Sequence, residues 1–266
     1  MGTTPPEKTQ QDALTESLRA LRLPSFVTYQ EEAARKAEKG GWSFGQFLRH
    51  LCEVELQERR QRKIERLSKQ SGLPSEKTVA TLDPARLPAT VRRQLPALCE
   101  GTFLDRAVNV LAFGLPGRGK THLLCAIAHE LVKRGCAVLF IPAFRLVQQL
   151  LLAKHDLRLE KELKKLDGFD VVLVDDIGYV QQDREEMEVL FTFLAERYER
   201  RSVMITSNLV FSQWDQIFKN PMTTAAAIDR LVHHSIILEL DGRSKRADDA
   251  LERNKNIAAS KEEKAE

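Results

Sequence analysis

Residues Gly114–Thr121 read Gly-Leu-Pro-Gly-Arg-Gly-Lys-Thr and match the phosphate-binding loop pattern G-x-x-x-x-G-K-[ST]. An apolar run at 108–113 precedes this loop, and a helical pattern at 122–134 follows it. Glycines allow backbone N–H groups to surround a phosphate, and the start of a helix adds a favourable dipole. Because strand, loop and helix occur in the required order, a triphosphate site is a better interpretation than a chance glycine-rich turn.

Each residue of the loop has a chemical role in this interpretation. Lys120 would place a positive charge on the β- and γ-phosphates, and the Thr121 hydroxyl would be a ligand of Mg²⁺. The predicted nucleotide-binding residues are Gly114, Leu115, Pro116, Gly117, Arg118, Gly119, Lys120, Thr121 and His122.

A second apolar strand, residues 169–176, ends in two aspartates. Parallel strands that are covered on both faces read as uninterrupted apolar runs, and their carboxyl ends meet at the ligand crevice. We expect Asp175 to hold Mg²⁺, directly or through water, and Asp176 to orient or deprotonate the attacking water. A solvated turn is the alternative, and the position of this strand about fifty residues after the loop argues against it.

The composition limits the class of protein. The 266 residues have room for one α/β domain of about 150 residues and a smaller module. The net charge is only +3, so any basic surface must be local. The four cysteines form no C-x-x-C pair, which predicts reduced thiols in a cytoplasmic protein. No apolar stretch is long enough to span a bilayer and the first ten residues are polar, so we expect no signal peptide and no membrane contact.

The pattern along the chain predicts five segments. These are a disordered start (1–10), a helical N-terminal domain for DNA or partner binding (11–72), an ordered proline-containing linker (73–100), a nucleotide-binding domain (101–247) and a charged tail (248–266). The nucleotide-binding domain alternates strands with helices. Strands are expected near 108–113, 137–141, 170–175, 202–206 and 235–240. This alternation predicts an α/β fold whose five-stranded parallel sheet carries helices on both faces.

The N-terminal segment predicts three helices. Pro24 is expected to end the first helix, and Ser43 with Gln46 forms a capping box at the start of the third. The predicted apolar face of that third helix is Phe44, Phe47, Leu48, Leu51 and Val54.

The second half of the third helix is rich in basic residues. These are Arg59, Arg60, Arg62, Lys63 and Arg66. A solvated helix flank with partners such as Glu55–Arg59 accounts for them, and so does contact with a phosphate backbone. The two interpretations have equal weight.

Two later positions distinguish among triphosphate-binding proteins. Asn208 ends a buried strand and, if that strand lies beside the Asp175 strand, would sit near the γ-phosphate. Arg230 lies between apolar residues before the last strand, where an arginine could reach a neighbouring subunit's nucleotide. An ion pair with Asp229 or Glu239 is the alternative for Arg230.

The six histidines show no metal-ligand spacing, and the adjacent His233-His234 pair indicates a helix end.

Several motifs together resemble the IstB-like ATPases, AAA+ helper proteins of transposition that are encoded beside the transposase of bacterial insertion sequences and are related to DnaC-type helicase loaders. The motifs are Gly-Leu-Pro-Gly-Arg-Gly-Lys-Thr-His-Leu (114–123), Val-Asp-Asp-Ile-Gly-Tyr (174–179), Leu-Ala-Glu-Arg-Tyr-Glu-Arg-Arg (194–201), Thr-Ser-Asn-Leu (206–209) and Asp-Arg-Leu-Val-His-His (229–234). The resemblance covers about residues 12–247.

The resemblance implies an ATP- and Mg²⁺-dependent homo-oligomer that binds and deforms double-stranded DNA and then stimulates its cognate transposase. It assigns Lys120 and Thr121 to Walker A and Asp175 and Asp176 to Walker B. Asn208 becomes sensor 1, Arg230 the arginine that acts on the neighbouring subunit, and Arg246 a candidate for sensor 2.

This sequence departs from the family pattern at three positions. Asp176 replaces a glutamate, which would weaken hydrolysis and prolong the ATP state. Arg118 stands where a small residue is usual, and Lys245 where an aromatic residue is usual.

Related proteins insert a helical element between the second and third strands to line a DNA channel. The matching region, 146–166, contains Lys154 and Arg158, and the loop that begins at Tyr179 should lie nearby. A solvated helix face explains these basic residues equally well.

Two other functions compete with the transposition helper. A replicative helicase loader would use its N-terminal segment to grip a helicase. A small-metabolite kinase would need an arginine-bearing lid, and the sequence shows no segment of that kind.

Overall fold

A computed structural model describes residues 7–179, 184–209 and 231–240 of the chain. The chain divides into two compact units, Met1–Arg66 and Leu67–Glu266. The predicted tail at 248–266 lies outside the described residues.

The first unit is helical, as predicted. It contains α1 (Glu7–Ala20), α2 (Pro24–Gly40) and most of α3 (Phe44–Ser71). Its core consists of Leu18, Phe26, Ala33 and Leu51.

The structure confirms some local predictions for the first unit and corrects others. The capping box forms, because the Ser43 amide donates to Gln46 Oε1 at 2.7 Å and the Gln46 amide donates to Ser43 Oγ at 3.3 Å. Pro24 begins α2 instead of ending α1, because proline is well tolerated in the first turn of a helix. Residues 7–10, which we predicted to be disordered, form the start of α1 because they include good helix formers.

The apolar face predicted for α3 is too wide. Phe44 is 94% exposed and Leu48 is 55% exposed, whereas Leu51 is buried and Phe47 packs on the core. α3 therefore packs on the core through a narrow stripe that contains Phe47 and Leu51, because residues four positions apart lie on the same face of a helix.

The segment predicted as a linker carries regular structure. Short 3₁₀ turns at Val79–Thr81 and Pro84–Arg86 precede α4 (Ala89–Glu100), and α4 packs against the helix that follows the phosphate loop. Segment 73–100 is thus part of the second compact unit.

The second unit is built on a parallel sheet of five strands, as predicted. The strands are β1 (Asn109–Phe113), β2 (Val138–Pro142), β3 (Val171–Asp175), β4 (Ser202–Ser207) and β5 (Ser235–Glu239). Their order is β2-β3-β4-β1-β5. Because β4 lies between β1 and β3, the carboxyl ends of the strands that lead to the phosphate loop and to Asp175 flank the end of β4.

Helices cover both faces of the sheet. They are α5 (Lys120–Lys133), α6 (Ala143–His155), α7 (Leu159–Asp167) and α8 (Arg184–Arg197). Residues of α6, α7 and α8 form one core cluster with alternate strand residues such as Leu111, Val172 and Ile205. The helix α5 contacts β1, β2, β3 and β4, and its buried side chains lie outside that cluster, on the opposite face.

A buried arginine at the end of α8 donates hydrogen bonds to carbonyl groups of neighbouring segments. Arg197 donates to the carbonyl oxygens of Leu166, Phe169 and Ser202 at 2.9, 3.0 and 2.9 Å. Burial lowers the pKa of Arg197 to about 10. The guanidinium satisfies carbonyls that would otherwise be buried without partners, which accounts for an arginine within the 194–201 motif.

The cysteines are free thiols, with Cys125 buried and Cys52 exposed. Burial raises the pKa of the Cys125 thiol to about 12, so this side chain behaves as a core residue.

In the described part of the chain, the helices lack the combination of length and apolar character that a bilayer crossing requires.

Candidate nucleotide-binding site

The phosphate loop connects β1 to α5, and its backbone requires glycine. Gly114, Gly117 and Gly119 have φ angles of +148°, +81° and +85°. A Cβ at Gly114 would lie 2.5 Å from the carbonyl oxygen of Leu240. Side chains are excluded from these positions by backbone strain and, at Gly114, also by a direct clash.

Lys120 lies inside the loop at the first residue of α5. Its side chain is buried, and Nζ donates to the carbonyl oxygens of Gly114 and Leu115 at 2.7 and 3.1 Å. A buried ammonium group beside a helix N-terminus provides positive charge where a bound phosphate would need it. Leu115 and Pro116 form the exposed tip of the loop.

A chain of hydrogen bonds links the phosphate loop to the end of β3. Thr121 Oγ1 and Thr206 Oγ1 both donate to Asp175 Oδ1, at 2.8 and 2.7 Å. The Asp176 amide in turn donates to Thr206 Oγ1 at 2.7 Å. Thr206, completely buried in β4, therefore fixes both aspartates, a role that no local sequence pattern indicated. The available signal was a hydroxyl group that directly follows the apolar run Val203-Met204-Ile205.

Asp176 has a left-handed backbone conformation, with φ of +58°. Aspartate adopts this region more readily than most residues, yet the conformation still costs free energy and occurs often at functional sites. The strained backbone turns the chain directly after β3, at the carboxyl end of the sheet, where Thr121 of α5 contacts Asp175.

The amide of Asn208 lies against the turn that follows Asp176. Asn208 Oδ1 is buried and accepts no hydrogen bond from any described residue. A Cβ at Gly178 would lie only 2.0 Å from this oxygen. Gly178 is therefore required for the position of Asn208, and its role was not visible in the sequence.

Comparison with known proteins supports the same kind of site. The family model described as "IstB-like ATP binding protein" matches residues 16–253. The chain belongs to this family. It is 42% identical over 236 residues to a protein of Sinorhizobium fredii named as an insertion sequence ATP-binding protein, with 88% of this chain and 79% of that protein covered. It is 38% identical over 226 residues to one of Geobacillus stearothermophilus, with 85% and 90% covered.

Solved structures show the fold of this IstB-like protein. DnaI matches with a TM-score of 0.54 at 22% identity, covering 64% of this chain and 96% of that one. The DnaC helicase loader matches with a TM-score of 0.50 at 17% identity, covering 63% and 98%. The second unit therefore has the P-loop AAA+ fold.

The donor set of this IstB-like protein suits Mg²⁺. Magnesium prefers oxygen ligands and is usually bound by one or two carboxylates together with substrate phosphates. Asp175 Oδ1 and Thr121 Oγ1 lie 2.8 Å apart at the start of α5, and both are oxygen donors. Thr121 and Asp175 would hold the ion.

His122 joins the first turn of α5 to the segment before the sheet. Its Nε2 lies 3.0 Å from Thr81 Oγ1 and 3.2 Å from the carbonyl oxygen of Thr78. About two helical turns further along α5, His129 Nε2 lies 3.0 Å from the carbonyl oxygen of Pro74. The chain segment 74–81 is thus held beside the nucleotide loop, a placement that local sequence patterns did not predict.

Arg118, the unusual residue of the loop, is half-buried. Its Nη1 atom is buried and has no hydrogen-bond partner within the described ranges. Since a guanidinium is a strong phosphate donor, this unpartnered group is consistent with its predicted contact to the nucleotide.

The structure places the remaining predicted residues apart from this cluster or leaves them undescribed. Lys154 forms an ion pair with Glu188 at 3.0 Å, and Arg158 forms one with Asp156. The side chain of Tyr179 and the predicted residues Arg230 and Arg246 lie outside the described residues.

We expect Gly178→Ala to bind ATP normally and to hydrolyse it up to about 100-fold more slowly, because displacement of a positioning group by about 1 Å has effects of this size. Turnover at saturating ATP measures the change. Gly45→Ala is the control, since its added methyl group would meet only Ser43 Oγ at 3.9 Å. Normal turnover by Gly178→Ala would show that the position of Asn208 is not needed.

Proposed function

We propose that this IstB-like protein is a Mg²⁺-dependent ATPase that assembles on double-stranded DNA with ATP and engages the transposase of its insertion sequence. The observation that carries the ATPase proposal is the hydrogen-bonded chain from Thr121 through Asp175 and Thr206 to Asp176. The relatives named as insertion sequence ATP-binding proteins support the context of transposition.

The roles of the site residues follow from their positions. Lys120 binds the β- and γ-phosphates in place of the loop carbonyls that now accept from Nζ. Thr121 and Asp175 would hold the ion, whose charge would offset the negative charge of the phosphates. Asp176 orients the attacking water, and Asn208 senses the γ-phosphate through an amide that adds no charge.

The basic side chains in the second half of α3 fall into two groups, those that pair with Glu55 and those that are exposed and suited to contact DNA. Arg59 Nε donates to Glu55 Oε1 at 2.7 Å, and the Ser25 amide donates to Glu55 Oε2 at 2.8 Å. Burial acts to raise the pKa of Glu55, but these hydrogen bonds outweigh it and hold the pKa below its usual value. Arg59 and Arg62, which approaches the same carboxylate at 3.6 Å, therefore contribute to folding of the first unit.

Arg60 and Lys63 are the more suitable DNA contacts. Both are exposed, and no ion pair within the described ranges involves them. Spaced three residues apart, they lie on the same side of α3. We propose that they contact the phosphate backbone of duplex DNA.

The double variant Arg60→Gln/Lys63→Gln is expected to weaken DNA binding for all sequences. Each lost phosphate contact lowers the slope of log K against log salt concentration by about 0.9, so the slope should fall by about 1.8. Fluorescence anisotropy at several salt concentrations measures it. Arg92→Gln/Arg93→Gln removes the same charge from the exposed side of α4 and serves as the control. An unchanged slope would assign Arg60 and Lys63 to a solvated flank.

Lys120→Ala should lose ATP-dependent assembly on DNA while it remains folded. Loss of charge-assisted hydrogen bonds to the phosphates should weaken ATP binding by about 10- to 100-fold. Titration with a fluorescent nucleotide and sedimentation on duplex DNA measure the two effects. Lys133→Ala is the matched control, because Lys133 lies at the exposed end of the same helix and pairs with Glu130. Unchanged ATP affinity in Lys120→Ala would contradict the assignment of the loop.

A replicative helicase loader is the second candidate, because the DnaC helicase loader shares the fold. The two functions differ in their partner. Co-purification with a transposase supports the first function, and co-purification with a replicative helicase supports the second.

A further inference from the structure

A second cluster of polar side chains lies away from the nucleotide loop. Glu199 follows α8, and the adjacent His233 and His234 immediately precede β5. Each offers a ligand atom, and these atoms all lie within 4.8 Å of one another. The cluster sits at the amino ends of β4 and β5, whereas the phosphate loop sits at the carboxyl ends, roughly 15 Å away along the strands.

The separation of two of these atoms suits a tetrahedral metal site. His234 Nε2 lies 3.2 Å from Glu199 Oε1. Two ligands of a tetrahedral Zn²⁺ ion with bonds of about 2.0–2.1 Å lie about 3.3 Å apart. An ion could therefore bind between these two atoms with little movement of either side chain.

The backbone that carries the cluster is fixed by Asn109, the first residue of β1. The Asn109 amide donates to the carbonyl oxygen of His234 at 2.7 Å, and its side chain donates to the carbonyl oxygen of Leu231 at 3.4 Å. Its Oδ1 accepts from the Val203 amide at 2.9 Å. This buried side chain thus links the residues before β5 to the start of β4.

Two further features orient the ligands. The Tyr198 hydroxyl lies 3.2 Å from His233 Nδ1 and restricts rotation of that imidazole ring. Glu199 has a left-handed backbone, with φ of +56°, which is uncommon for a non-glycine residue and directs its side chain out of the helical path. Partners outside the immediate ligands, such as Tyr198, commonly fix histidine ligands in metal sites.

We propose that Glu199, His233 and His234 bind a divalent transition-metal ion of the Zn²⁺ class. Two imidazoles and one carboxylate suit borderline ions such as Zn²⁺, and three protein ligands leave a position for water or a fourth donor. The bound ion joins the turn after α8 to residues three and four positions after Arg230 in the sequence. Binding of the ion therefore stabilises the second unit independently of ATP.

Calorimetric titration of the full chain, without an affinity tag and without nucleotide, tests the site with ZnCl₂. Absorption of the Co²⁺ complex in the visible region provides an independent readout. We expect one ion to bind per chain, with an affinity that depends on Glu199, His233 and His234. His233→Ala, His234→Ala and Glu199→Gln should each weaken binding by more than about 100-fold, and Tyr198→Phe by about 10-fold.

His155→Ala is the matched control. His155 is exposed and lies 3.9 Å from Glu185, so it forms a histidine–carboxylate pair that has no third ligand among the residues the structure describes. Zn²⁺ affinity should be unchanged in this variant, and we expect Zn²⁺ to raise the Tm of this variant and of the original chain equally. Equal Zn²⁺ affinity in the original chain and in folded His234→Ala would overturn the proposal, because the ion would then be bound elsewhere, for example by the cysteines.

Discussion

Arg230→Ala is expected to lower ATP turnover by about 10³- to 10⁵-fold, the range found for arginines that neutralise transition-state charge. Binding of ATP to an isolated subunit should not change. The motif 229–234 places Arg230 directly before Leu231, which is buried in the core, and ahead of β5. We propose that the arginine completes the site of the neighbouring subunit in the assembled oligomer.

Mixing variants tests this arrangement. A mixture of Arg230→Ala and Lys120→Ala subunits should recover part of the activity, because some interfaces then combine an intact phosphate loop with an intact arginine. Steady-state turnover as a function of the mixing ratio measures the recovery. If both variants co-assemble and the mixture stays inactive, or if Arg230→Ala alone keeps full turnover, Arg230 does not act between subunits.

Asp176→Asn should bind ATP and hydrolyse it about 10²- to 10⁴-fold more slowly, the usual contribution of a positioned acid–base group. Two features of the backbone favour this substitution. Asparagine tolerates the left-handed backbone at this position. The backbone N–H of residue 176, which donates to Thr206 Oγ1, is also retained. Thr121 and Asp175 keep their contact, so binding of Mg²⁺ and ATP should persist and a DNA-bound oligomer should accumulate.

Two companion variants sharpen the Asp176 experiment. Asp176→Glu restores the residue that the family resemblance leads us to expect and should hydrolyse ATP at least as fast as the original chain. Asp175→Asn should instead weaken the Mg²⁺ dependence of nucleotide binding. Single-turnover kinetics measure the change in hydrolysis, and ATP affinity measured with and without Mg²⁺ reports the change in nucleotide binding. Near-normal turnover by Asp176→Asn would mean that another residue positions the water.

Much of the fold was predictable because its signals are local. A glycine-rich loop between an apolar strand and a helix, and an apolar strand that ends in acidic residues, are encoded by neighbours in the chain. They identified Lys120, Thr121 and Asp175 without knowledge of the strand order. The same local patterns predicted the five parallel strands and the capping box at Ser43, which the structure confirms.

Local patterns also explain the errors. The periodicity of α3 predicted burial for Phe44 and Leu48, yet the packing of three short helices uses only a narrow stripe. The approach of His233 and His234 to Glu199 was not predictable either, because Glu199 is more than thirty residues away in the chain. A local pattern describes one element and cannot show which distant side chains come together.

The sequence by itself determined the chemistry of the phosphate loop, the acidic end of β3 and the family to which the chain belongs. Only the tertiary structure decided which distant residues complete these features. Placing β4 between β1 and β3 brings Thr206 to Asp175 and Asn208 to Gly178. The cause is physical, since hydrogen bonds between parallel strands set the strand order and register, and these long-range pairings leave no periodic trace within any one segment.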